Sequence, residues 1–416
     1  MKKVFLVALL IMSITVTACS PATKQTDVSP NTKVNITKHP IAANFNRGSV
    51  DTLPPVNPAY EGDSTLDLRG YDLSSVDLKD KLKDLEYAEF DSKTIWPKSL
   101  PDRFDPEKLM DLGKSPGLNV ERLHKKGITG QGVGLAIIDQ ALLVDHIEYK
   151  NNLKMYEEIH CSDTQAQMHG PAVASIAVGK TVGVAPDADL YYIAETHGEY
   201  TNGGFQWDFT WVAKSIDRIL EVNNTLPKNK KIRVISISVG WDKSQKGYDE
   251  VNAAVDRAKA AGVFVVSSSL INTDGYMFNG LGRNPLNDPE VPSSYEPGLF
   301  WKDRYYENDK EFYSILGEKI GVSIEDVLLI PMDSRTTASP TDPKDYVFYR
   351  EGGWSWSIPY IAGLYALACE VNPDINPETF WSTALKTGDT IKVQNSGKEY
   401  ELKKVVNPVK LMEALK

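Results

Sequence analysis

GVGLAIIDQ, residues 132–140, is a short apolar run that opens on glycines and ends on an aspartate. Val133 to Ile138 is apolar without alternation, the pattern of a strand buried on both faces rather than one face to water. Three further runs repeat it: DLYYIA (Asp189 to Ala194), RVISIS (Arg233 to Ser238) and GVFVVSS (Gly262 to Ser268). Between them Val212, Ile216, Ile219 and Leu220 recur at helical spacing, as do Val251, Val255 and Ala258. Buried strands alternating with amphipathic helices imply an α/β fold of three layers, a mostly parallel sheet with helices on both faces. In such a sheet the ligand site lies beyond the carboxyl ends of the strands, where Asp139 stands.

The rest of the chain sets limits on this core. It has 416 residues, 46 Lys and Arg against 56 Asp and Glu, 41% hydrophobic residues and 3 cysteines. A formal charge of -10 argues against nucleic acid as a partner, which clustered Lys and Arg would have to bind. Three cysteines exclude a disulfide framework. At the start, Lys2 and Lys3 precede an apolar run, Val4 to Ala18, shorter than the roughly 20 residues that span a bilayer. It ends in Val16-Thr17-Ala18-Cys19 and resembles a bacterial lipobox. That resemblance implies cleavage before Cys19, a lipid on its sulfur, and a membrane-anchored, extracytoplasmic protein. The alternative is a signal peptide followed by an incidental cysteine.

Composition divides the chain into a signal peptide (1–18), a disordered tether (19–60), an N-terminal docked segment (61–115) and a large α/β unit (116–416). The tether is rich in Pro, Thr, Asn and Ser, too poor in large apolar groups to repay chain entropy. In the docked segment LDLRGYDLSSVDL, from Leu66, resembles coils of a pentapeptide-repeat β-helix or, equally, an irregular amphipathic stretch. Two or three coils are too few to stand alone, so the piece is expected to dock on its neighbour.

Three residues carry chemistry. Asp139 is a carboxylate set beside apolar sequence. His169 opens a small-residue helix in MHGPAVASIAVG (168–179), and Ser355 follows two glycines in GGWSWSIPYIAGLYALA (352–368). Singly, each has an ordinary alternative: a capping aspartate, a structural histidine, a serine N-cap.

Together these stretches resemble the subtilase (subtilisin-like) serine peptidase family, in its order Asp, His, Ser. His169-Gly170, Val173 and Ala174 match the family's histidine helix; Gly353, Ser355, Pro359, Ala362 and Gly363 match its serine segment. Gly183-Val184-Ala185-Pro186 matches a turn between them. Ser238, Val239 and Gly240 match the segment that pairs with substrate backbone. The resemblance covers about Pro116 to the C-terminus and implies hydrolysis of polypeptide substrates through an acyl-enzyme. Ser355 would be the nucleophile, His169 the base and Asp139 the carboxylate that orients it. An alternative is a catalytically weak subtilase-fold lipoprotein that serves as a binding or scaffold protein. An α/β-hydrolase esterase is discounted, because it would want Gly-x-Ser-x-Gly and the order Ser, acid, His.

Several positions depart from the family pattern. The asparagine that supplies the second oxyanion donor arrives one position late, as Asn272, with Asn279 the next candidate. Only Lys180-Thr181-Val182 separates the histidine helix from Gly183, too short a link to wrap calcium, so no cofactor is expected at that place. Trp354 and Trp356 flank the serine, where they shape a pocket or simply pack. Ser357 is a weak rival nucleophile, Cys369 is expected to be a buried hydrophobe, and pairing of Cys161 with Cys369 stays open. Gly275 to Asp345 exceeds what the family core requires and is expected to be an insertion over the cleft or a surface elaboration.

Overall fold

The computed structural model describes residues 35–55, 65–269, 273, 275–307 and 327–416. The signal peptide, Cys19 and residues 61–64 lie outside them. Among the described residues no helix is long and apolar enough to cross a membrane.

The GLAIID run forms the strand Gly134–Asp139, with every residue buried, at the centre of a five-stranded parallel sheet. On one side lie Ile232–Ile237 and then Phe264–Ser267; on the other, Asp189–Ala194 and then Leu153–Glu158. Ile137 stands opposite Ser236 and Tyr192. Alternate residues serve opposite cores, which is why the run lacks alternation. Leu135 and Ile137 join the helices His169–Val178 and Trp354–Val371, whereas Ala136 and Ile138 join Thr210–Thr225 and Tyr248–Ala260. The chain winds away from the central strand on both sides, so the crevice beyond Asp139 is a topological switch point.

The fifth strand, Leu153–Glu158, carries no clear strand signal. As the edge of the sheet it keeps Lys154 exposed and Glu157 and Glu158 half-buried, so LKMYEE lacks a continuous apolar run.

The described parts of the stretch from Gly275 to Asp345, 275–307 and 327–345, are more than a surface elaboration, and that expectation is corrected here. Met277–Arg283 and Val327–Pro331 are wholly buried parallel strands of a second five-stranded sheet, completed by Tyr295–Pro297 and the hairpin Asp389–Asn395 with Lys398–Val405. VLLIP supplies the apolar surface that makes such a strand interior.

The described part of the tether is also corrected. Residues 35–55 form a strap laid against the body. Thr37 N donates to Tyr156 O at 3.0 Å and Tyr156 N to Asn35 O at 3.1 Å, which prolongs the parallel sheet past its edge strand. Further along, Ala166 N donates to Ile41 O and Ala43 N to Pro340 O, both at 2.9 Å. Pairing of this kind uses main-chain groups, so polar and small composition does not reveal it.

From Leu66 the chain stacks parallel rungs. Leu66 and Asp67 stand beside Ala88 and Glu89, and Tyr71 and Asp72 beside Gly48 and Ser49. Leu66, Leu68, Leu73, Leu78 and Phe90 share a small core with Phe104, Leu109 and Phe348. Ala88–Asp91 pairs antiparallel with Tyr346–Tyr349, and through that ladder the segment docks.

Candidate active site

Asp139 closes the central strand at 1% exposure, and its Oδ1 accepts hydrogen bonds from His169 Nδ1 at 2.7 Å and Gln140 N at 2.8 Å. Its Oδ2 is buried without a partner. His169 is the first residue of its helix, and the helix can approach so closely because Gly170 follows. A Cβ there would stand 2.5 Å from both Gln140 O and Tyr192 Oη.

Ser355 lies in the first turn of the helix Trp354–Val371, whose leading N–H groups have no partner within the helix. Gly353, at φ 61° and ψ 177°, turns the chain into it. The Ser355 hydroxyl donates to Ser238 O at 3.3 Å, and the Ser238 hydroxyl donates to Ser355 O at 3.0 Å. Ser238, Val239 and Gly240 continue the strand Ile232–Ile237 past its carboxyl end, half-buried at the crevice. The Trp356 ring lies 5.3 Å from that of His169. The structure thus gathers Asp139, His169, Ser355 and Ser238 to Gly240 at the carboxyl ends of the parallel strands. No hydrogen bond joins Ser355 to His169 in this conformation; such bonds often tighten only when substrate binds.

Residues 130–298 match the family model described as "Subtilase family". Residues 130–298 are thus a subtilase domain. The match includes Asp139 and His169 and stops short of Ser355, which the fold returns to them. "Subtilisin-like protease 8" of Trichophyton verrucosum is 25% identical over 335 residues, 76% of this chain and 64% of that protein. The chain therefore spans less than two-thirds of that relative's length. The "Major intracellular serine protease" of Bacillus subtilis is 25% identical over 185 residues, 41% of this chain and 53% of that one. The solved structure of the prenylagaramide maturation protease PagA superposes with a TM-score of 0.46 at 14% identity, over 72% of this chain and 98% of that one.

The remaining candidates separate. Asn272 lies outside the described residues. Asn279 is 1% exposed in the second sheet; its Oδ1 accepts from Trp354 Nε1 at 2.9 Å, and its Nδ2 is buried without a partner. Ser357 is fully buried and donates to Pro331 O, which removes it as a nucleophile. Cys161 and Cys369 are both free thiols, and burial pushes each up to about 12, far from a reactive thiolate.

The short link after the histidine helix is tied down by Glu148. The buried Glu148 carboxylate accepts from Thr181 N at 2.8 Å, Thr181 Oγ1 at 2.6 Å, Val182 N at 3.3 Å and Tyr346 Oη at 2.5 Å. A carboxylate engaged by four donors does not fit a cation. Among the described residues no group of three or more His, Cys, Asp or Glu is placed to hold a metal ion.

The sequence analysis missed a second carboxylate–imidazole pair. Glu195, fully buried, follows the strand Asp189–Ala194; its Oε1 accepts from His197 N at 2.6 Å and its Oε2 meets His197 Nδ1. Burial on its own lowers the His197 imidazole, but the Glu195 carboxylate outweighs it and holds the group above its ordinary value. The signal was the one that marks Asp139, an acid directly after a buried apolar run.

Proposed function

We propose that the chain is a serine endopeptidase that hydrolyses peptide bonds through an acyl-enzyme, held to the membrane by a lipid on Cys19 at the extracytoplasmic face. The observation that carries the catalytic part is the 2.7 Å bond between His169 Nδ1 and Asp139 Oδ1. With its proton at Nδ1 engaged by the carboxylate, the imidazole keeps Nε2 free to accept one. Ser355 Oγ attacks the scissile carbonyl carbon and passes its proton to Nε2. The same proton then goes to the leaving amine, and a water repeats the sequence on the acyl-enzyme. The Ser355 N–H, at a helix start, is one donor to the oxyanion, and Asn272 is proposed as the second. Ser238 to Gly240 would pair with substrate backbone on the acyl side. The relatives' names as proteases support this reading.

The bond from Ser355 to Ser238 O favours a second reading, a binding protein on a subtilase scaffold. A fluorophosphonate probe on the purified chain decides between them. Covalent labelling that is lost in Ser355→Ala and His169→Ala is expected; an unlabelled wild type, under conditions that label a known subtilase, overturns the peptidase. For the anchor, metabolic labelling with a fatty-acid analogue is expected in the wild type and absent in Cys19→Ala.

A further inference from the structure

Side chains run in contact from the N-terminal strap to the histidine of the site. The Arg47 guanidinium lies 4.6 Å over the Phe45 ring, and Arg69 lies 5.5 Å from the same ring and 5.3 Å over Tyr349. Tyr349 meets Trp356 at 5.3 Å, and Trp356 meets His169 at 5.3 Å. Arg69 is fixed by two bonds to Asp67, each 2.8 Å, and donates to Tyr349 Oη at 3.2 Å, so it clamps two aromatic walls together.

Beside these walls is a cavity of about 310 Å³. Ala43 and Phe45 line it from the strap, Gln167 and Met168 from the residues that lead into His169, and Val347 and Tyr349 from the strand that carries the docked segment. Its charged groups are already engaged: Arg47 and Arg69 share Asp67, while Asp91 accepts from Gly70 N, Lys93 N and the Thr94 hydroxyl. What remains for a ligand is a mixed lining, Phe45, Met168, Val347 and Tyr349 together with neutral amide and hydroxyl groups, the chemistry that takes an uncharged side chain. Met168, the residue before the imidazole that would deliver a proton to the leaving amine, lines the cavity, and Tyr349 reaches that imidazole through Trp356; His169 and Ser355 do not themselves line it. Ser238 to Gly240, the acyl-side segment, meet Ser355 without lining it.

We propose that this cavity binds an apolar side chain of the substrate polypeptide on the departing side of the scissile bond, with the strap as a permanent wall of the working enzyme. This rests on the peptidase reading above. It assigns residues that precede the subtilase match, Ala43, Phe45 and Arg69, to substrate selection.

The test compares two substrate sets on the full chain. Internally quenched peptides vary the two residues after the bond among Leu, Phe, Gly and Asp; a peptidyl nitroanilide with the same acyl sequence has no residue there. Leu or Phe is expected to exceed Gly and Asp by about tenfold in kcat/KM. Ala43→Trp, which fills the cavity, is expected to abolish that preference and to lower the peptide rate about tenfold relative to the nitroanilide rate. No preference in the wild type overturns the proposal, as does an Ala43→Trp enzyme slowed equally on both substrates. A wild type that cleaves neither overturns the peptidase reading itself, a result separable from the other two.

Discussion

Asp139 has one oxygen committed twice and the other buried without a partner, an arrangement suited to a carboxylate that orients an imidazole. Asp139→Asn keeps the shape but offers an amide where His169 Nδ1–H needs an acceptor, so the histidine is driven to the wrong tautomer. We expect kcat to fall by about 10⁴-fold with the unfolding midpoint little changed. Retention of a tenth of wild-type activity would remove Asp139 from the mechanism. Asp139, His169 and Ser355 were legible because each ends or opens an element with a recognisable pattern. Glu195 gave the same local signal with no motif around it. Asn279 was suggested by sequence proximity alone, and only strand register shows it in the second sheet with its oxygen on Trp354.

At the scale of elements, the parallel strands and their helices followed from hydrophobic pattern, since burial on both faces leaves continuous apolar runs. What escaped was structure held by main chain. The edge strand Leu153–Glu158 tolerates Lys154 and two glutamates because only part of it is covered, and the strap pairs with it through Asn35 O and Thr37 N, groups that every sequence carries. The strap shields the unpaired edge of the main sheet. A chain that begins at residue 56 loses the five strap hydrogen bonds at Tyr156, Ala166 and Pro340, with those to Gly70 and Asp72, and is expected to lose about 2–4 kcal/mol of stability, the lost bonds being partly offset by the entropy of ordering the strap. Urea unfolding of the two chains measures the difference, and a concentration-dependent rise in light scattering should accompany it as the edge is exposed. Equal midpoints with no scattering would show the strap to be an ornament.

For the whole molecule, three buried groups set how stability should vary with pH. His197 is held above its ordinary value by Glu195 against the opposing effect of burial, so its contribution is fully present below the unfolded value and is lost as pH rises through the folded one. Burial pushes Asp333 up to about 6 despite Arg350 nearby; its charged form is a cost above that pH, relieved as pH falls toward its unfolded value. His146 runs the other way. Burial lowers it, so the stability it lends is present above its ordinary value and fades as pH falls below. Between pH 8 and about 6.5 His197 leads and stability should rise on acidification; above that range the buried thiols Cys161 and Cys369 add their own loss, and further down Asp333 and His146 oppose each other. The expected result is an unfolding free energy in urea that is higher at pH 6.5 than at pH 8. In His197→Gln, which keeps a donor to Glu195 but cannot titrate, that difference should vanish. A flat wild-type stability curve between the two pH values would sink the assignment of His197.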